Sequence, residues 1–284
     1  MQVGIGVPNI IPGTDGRTII DWGREAERLG FSSLGTIGRL TFPTVEELTA
    51  LAAIAAVTER IGLLTNTLIA PARDPAELAK QAASVDVLSG GRLTLGLGVG
   101  WREDDFIVTG RSFHERGRRF NEDLELMHRA WAGEKVRGSW FPVSPPPTRG
   151  TVPILIGGTV AAAFERAAKW GIGWTSGGLP PDQAAVNFQK ARDAWKAAGR
   201  EGEPRLVALQ YYGWGDGASE RAAGYLGQYY GEYGGQMAKA IPIGPDEVRK
   251  TVEAFREIGA DELILDPTTA DLDQLEEVAR ATLD

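Results

Sequence analysis

Eight times along the chain a short apolar run gives way to a longer stretch with helical spacing, and no other pattern constrains the fold as tightly. Strands that each need a helix to return to the same end of a sheet must run parallel. Eight such units are enough to close a sheet on itself. The chain has 284 residues, and a single α/β barrel commonly takes about 250, so the pattern predicts one (β/α)8 domain over residues 1–284, of α/β class.

The central unit is the run Gly91–Phe106, G-R-L-T-L-G-L-G-V-G-W-R-E-D-D-F. Leu93, Leu95 and Leu97 alternate with Thr94 and glycine, which reads as a buried strand whose end, Gly96–Gly100, is nearly free of side chains. Such an end allows two readings. It is a barrel strand packed tightly by glycine, or it is a slot where main-chain groups reach a flat ring that a β-carbon would hold off.

The other units follow in order. Val3, Ile5 and Val7 form a first strand that ends at Pro8-Asn9, which places Asn9 at the mouth or in the loop above it. A helix over about 18–29 stops at Gly30, and Phe31–Thr36 is the second strand. Thr44-x-x-Glu47 reads as a capping box that opens a helix running to about Thr58. Ile61–Thr67 is the third strand, and Asp74-Pro75 starts a helix that ends at Leu88. After the central unit, Phe120, Leu124, Met127 and Trp131 mark the inner face of a helix over about 115–131; His128 beside them reads as a packing residue, and His114 as a capping or structural one. Residues 136–150 are proline-rich and aperiodic, a loop across the barrel's bottom with room for a short hairpin.

Val152–Ile156 is the fifth strand and runs into Gly157-Gly158-Thr159 ahead of an alanine-rich helix. Trp174-Thr175-Ser176-Gly177-Gly178 repeats the arrangement one unit later. Exposed amides at a helix start attract anions, so two glycine-rich strand ends on one mouth form a candidate phosphate clamp; ordinary glycine turns are the plainer alternative. Arg205–Gln210 is the seventh strand, followed by two helical stretches within 218–258 that are placed to act as a lid, and Leu263–Leu265 with a helix over 272–283 closes the ring.

These runs, together with R-D-P-A-E-L-A-K-Q and V-P-I-L-I-G-G, closely resemble the bacterial luciferase-like monooxygenase superfamily. The resemblance implies a (β/α)8 barrel that holds reduced FMN, or the deazaflavin coenzyme F420, at its C-terminal mouth. It implies a cofactor lining of Asn9, Thr65, Asn66, Gly98, Trp101, Gly157, Gly158, Ser176, Gly177 and Gly178 and, by likeness to the deazaflavin-dependent relatives in particular, a bulge with a non-proline cis peptide near Thr65, Asn66 and Thr67. Where the family usually shows an acidic residue or a histidine past the second strand, this chain reads T-I-G-R-L, so Arg39 and Glu103 stand as the candidates for substrate binding or proton management. Trp101, Phe42, Leu40, Tyr211 and Tyr212 are the candidates for an apolar chamber, and Arg39, Arg73 and Arg102 for cations at the mouth.

The implied activity is oxidation of a small organic substrate by reduced FMN and oxygen, with a separate reductase supplying the flavin. The alternatives are hydride transfer with F420 and a flavin-binding barrel without turnover. Relatives of this kind are commonly homodimers, which is carried over as an expectation.

Composition narrows the field further. With no cysteine, disulfides and thiolate chemistry are excluded, and two histidines are too few for most histidine-rich metal centres, so no metal site is expected. A net charge of −8 without basic runs argues against nucleic acid or an anionic membrane as the main partner. The N-terminus lacks a basic segment followed by a long apolar one, and no apolar run approaches the roughly 20 residues that span a bilayer, so a cytoplasmic location is the expectation.

Overall fold

The computed structural model describes residues 1–283. Eight strands, β1 (Gln2–Gly6), β2 (Ser33–Thr36), β3 (Gly62–Ile69), β4 (Leu93–Gly98), β5 (Ile154–Gly157), β6 (Gly173–Thr175), β7 (Arg205–Tyr212) and β8 (Glu262–Pro267), form a closed parallel barrel in sequence order. Around them lie α1 (Gly16–Leu29), α2 (Glu47–Ala55), α3 (Pro75–Leu88), α4 (Asp104–Ile107), α5 (Arg116–Trp131), α6 (Ala161–Trp170), α7 (Pro181–Ala197), α8 (Ala218–Tyr230), α9 (Glu232–Met237), α10 (Gly244–Glu257) and α11 (Asp273–Thr282). The (β/α)8 expectation holds. No helix among the described residues is long and apolar enough to cross a membrane.

Local chemistry sets the element ends. Asp15 accepts from the Thr18 amide to start α1, and Gly30 ends it in the left-handed region, at φ +93°. Asp74 accepts from the Ala76 and Glu77 amides to start α3, with Pro75 in the first turn. The inner face of α5 is as expected, with Phe120, Leu124, Met127 and Trp131 all buried, and His128 packs flat against Trp170. Burial lowers the pKa of His128, as fits a packing residue.

Ile264 on β8 reaches across to β1 and β2, where a β-carbon at Gly4 or Gly35 would lie only 2.6 or 2.8 Å from it, so glycine leaves the space that the isoleucine occupies. At the bottom the buried Glu262 accepts from Ser32, Ser33 and Arg205. Arg92, at the start of β4, donates to the Ser89, Ala55, Thr58 and Ile61 carbonyls and ties that strand to the end of α2. Glu262 and Arg92 thus find hydrogen-bond partners at the end of the barrel away from the mouth.

Three expectations need correction. The second helix opens at Glu46, whose carboxylate accepts from the Thr49 amide; Thr44 does not cap, and Glu47 is buried against Arg73. The carboxylate one residue before the helix outcompetes the hydroxyl because it carries full charge to the amide. Residues 136–150 do not form a hairpin at the bottom but run along the outside of α3, where Arg137 pairs with Asp74, Lys80 donates to the Ser144 carbonyl and the Thr148 amide donates to Asp86. Finally, 218–258 holds three helices, because Gly231, at φ +66° and ψ −142°, breaks the first stretch after Tyr230.

Candidate active site

The C-terminal rim of the barrel divides into a plugged half and an open half. On the plugged half, α8 lies over the mouth and sends Tyr225, Leu226 and Tyr229 into a buried cluster with Ile10, Ile37, Leu209, Tyr211 and Ile264. The i, i+4 spacing of Tyr225 and Tyr229 places both on the helix face that meets the barrel. Tyr211 and Tyr230 share a hydroxyl–hydroxyl hydrogen bond of 2.7 Å. Burial pushes the Tyr211 phenol well above its ordinary range and that of Tyr230 up to about 12, so both keep their protons.

The open half is bounded by the ends of β3 to β6 and holds a cavity of about 640 Å³. Gly98, Gly157, Gly158, Ser176 and Gly177 line one wall, with Asn66 and Thr67 beneath and Trp101, Tyr229 and Tyr230 around the opening. The volume falls within the usual range of small-molecule sites. β3 carries a register shift between Thr65 and Leu68 where it pairs with β4, and the Asn66-Thr67 peptide is cis, as the resemblance implied. The bulge turns Thr67 toward the two glycines, since a β-carbon at Gly98 would lie 2.8 Å from its Oγ1 and one at Gly157 3.0 Å from its Cγ2.

Two buried polar atoms in this wall have no protein partner. Thr175 donates to Asn66 Oδ1 at 2.7 Å, which fixes the amide and leaves Nδ2 free. Ser176, 1% exposed, has an unpaired hydroxyl. Groups of this kind are costly to bury unless something else completes them. A flat heterocycle with acceptors at its edge, and a phosphate beyond it, match a glycine-lined wall with an amide donor and a hydroxyl. Trp174 donates to the Gly158 carbonyl at 2.8 Å and steadies the β5 end of that wall.

Not every expected residue arrives. Asn9 lies in a short 3-10 turn after β1, buried, and its Nδ2 donates to the Ile37 and Val45 carbonyls; it braces the connection between β2 and α2 and does not line the cavity. Thr65 sits below the bulge with its hydroxyl bound to the Gly96 carbonyl. Gly178, at φ +63°, donates its amide to Leu209 and turns away into a neighbouring cavity of about 520 Å³. Glu103 precedes α4 and is exposed, whereas Asp105, two residues on, is fully buried and lines the cavity. Arg39 does line it, held by Asp104, Asp105 and Thr41. Of the chamber candidates, Trp101 and Tyr211 are present, while Phe42, Leu40 and Tyr212 do not reach it. Arg73 is bound to Glu46 and Glu47 behind the wall.

Arg116 went unnoticed in the sequence. It lines the cavity, donates to the Gly100 and Phe113 carbonyls and stacks on Phe113 at 3.8 Å, and no carboxylate pairs with it among the described residues. It opens α5 some 16 residues past Gly100, a separation at which no local pattern signals proximity.

Known proteins share this architecture. An uncharacterised protein of Mycobacterium tuberculosis is 35% identical over 181 residues, and this chain spans 61% of that protein's length with 58% of its own. A monooxygenase from Streptomyces bottropensis superposes with a TM-score of 0.78 at 24% identity, covering 99% of this chain and 97% of that one. An F420-dependent secondary alcohol dehydrogenase, in complex with an F420–acetone adduct, gives a TM-score of 0.81 at 17% identity over 100% of this chain and 99% of its own. These structural likenesses concern the fold. The family description matches residues 1–251, from the first strand through most of α10, and on that extent the chain belongs to the luciferase-like monooxygenase family.

Proposed function

We propose that the chain is an oxidoreductase that binds reduced FMN in the open half of its mouth and uses it with oxygen on a small organic substrate. The carrying observation is the wall of Gly98, Gly157, Gly158, Ser176 and Gly177 around one cavity, completed by the free Asn66 Nδ2 and Ser176 Oγ. When bound, the flavin supplies the redox chemistry, which explains why no nucleophile or metal cluster is needed. The chain's own residues do the rest.

Asn66, through its free Nδ2, and the bulged Thr67 would hold the ring. Ser176, the Gly157–Thr159 turn and Arg116 hold the phosphate, with Arg116 contributing a charge that no protein carboxylate neutralises. Tyr211, Tyr229 and Tyr230 roof the substrate side with neutral phenols and exclude water there. Arg39 is held by two aspartates and keeps the second loop closed over the cavity. The same proposal includes a separate reductase that supplies the reduced cofactor, a cytoplasmic location and a homodimer.

A second reading, hydride transfer with the deazaflavin F420, is favoured by the β3 bulge, which the resemblance associates with deazaflavin relatives, and by the cation Arg116 at the cavity. The two are separated by titrating the protein with each cofactor while following tryptophan emission, because Trp101 lies at the opening and is 60% exposed. Quenching by FMN, followed by substrate-dependent oxygen uptake, is the expected result. Quenching by F420 alone overturns the FMN reading, and quenching by neither overturns both.

A further inference from the structure

The cavity carries one cation, Arg102, that the cofactor reading does not use. Three arginines, Arg39, Arg102 and Arg116, and one carboxylate, Asp105, line it in a protein whose net charge is −8. Asp105 and its neighbour Asp104 both bind Arg39. Arg116, at the start of α5, is bound to the Gly100 and Phe113 carbonyls and is assigned to the cofactor phosphate. Arg102 is left with no acid of its own.

Its setting is specific. The guanidinium lies 4.4 Å from the Trp101 ring centroid, 4.9 Å from that of Tyr229 and 5.5 Å from that of Tyr230. One Nη donates to the Tyr229 carbonyl at the end of α8, while Nη1 is buried and has no partner. Burial and the like charge of Arg39 both work against the charged form. A planar cation fixed in orientation by aromatic faces, with one edge unsatisfied and no counter-ion, is an incomplete anion site. It sits on the α8 side of the mouth, away from the β5 and β6 ends assigned to the cofactor phosphate.

We propose that Arg102 is a substrate-binding residue, and that the substrate is an organic anion with an aromatic or otherwise flat apolar body. The carboxylate or enolate meets Nη1. Trp101 and Tyr230 hold the body beside it. This names the substrate class and rests on the cavity being the substrate chamber, though not on which cofactor it takes.

The test uses phenylacetate and its neutral amide, phenylacetamide, as probes, with calorimetry on the cofactor-free protein and again after loading with FMN. A charge-assisted bond at Arg102 is expected to make the acid bind about tenfold tighter than the amide or better, and Arg102→Gln to erase that gap without weakening FMN binding. Arg102→Lys, which keeps the charge but loses the planar stack, is expected to restore part of it. Cofactor phosphate is the other source of such an anion, and it is recognised by Arg102→Gln weakening FMN but not riboflavin. That outcome overturns the substrate assignment, as does equal binding of acid and amide by the unaltered protein, or no binding of either. If Arg102 merely latched α8, Arg102→Gln would lower the melting temperature and weaken both probes alike, which also overturns it. Failure of FMN to bind while the acid–amide gap persists rejects the cofactor reading and leaves this one standing.

Discussion

Asp105→Asn isolates the contact that closes the second loop over the cavity. Asp105 accepts from the Leu40 amide at 2.9 Å, from the Thr41 amide and hydroxyl at 3.2 Å each, and from Arg39 Nε at 3.3 Å. Its side chain is 0% exposed and that of Arg39 10%, so solvent screens the pair little. Asparagine keeps one oxygen for the two amides but turns an NH2 toward the guanidinium. The bond to a charged donor is worth about 1.5–3 kcal/mol. The full penalty of about 3–5 kcal/mol for orphaning a buried charge does not apply, because Asp104 still neutralises Arg39 from the rim.

A loss of about 2–3 kcal/mol follows, read as a fall in melting temperature of about 4–12 °C for a chain of this size. Arg39→Gln and the double variant complete a cycle in which the coupling is expected to exceed about 1 kcal/mol. A fall below about 2 °C with additive effects would refute the claim that this pair holds the loop.

Further outcomes are expected at the site and behind it. Asp266, fully buried at the end of β8, has a carboxyl raised well above its ordinary 3.8 by burial alone; the folded chain therefore binds more protons than the unfolded one above about pH 4, and stability falls as pH rises from there toward the raised value. Asp266→Asn removes that dependence, so its melting temperature should gain on the unaltered protein as pH increases from 4 to 8, and a constant gap would refute it. Ser176→Ala removes an unpaired buried hydroxyl, so melting should be unchanged or slightly higher while FMN affinity falls by about two- to tenfold in a fluorescence titration. Arg116→Gln should weaken FMN by about ten- to a hundredfold and leave riboflavin, which lacks the phosphate, nearly unaffected; equal losses would place the phosphate elsewhere.

The ring of eight strands was legible in the sequence because each strand and helix announces itself over a few neighbouring residues. Period-two leucines in β4, the Asp74-Pro75 start of α3 and the Gly30 stop of α1 are all local signals, and all three stand in the structure. The glycine-rich ends of β4, β5 and β6 were equally visible, and parallel strands in sequence order necessarily bring them to one rim. Tertiary structure alone decided what a loop residue does once it leaves the strand. Asn9 and Glu103 looked suitable by position, yet a 3-10 turn carried the first into packing and the start of α4 left the second in water, while Asp105 turned inward. Nor does any spacing reveal that α8 blocks half the mouth, or that Arg102 lies against Tyr229, 127 residues away, with one edge unpaired. Strand and helix periodicity follows from backbone geometry between near neighbours, whereas the pairing of charges and the filling of a mouth depend on which distant surfaces meet when the barrel closes.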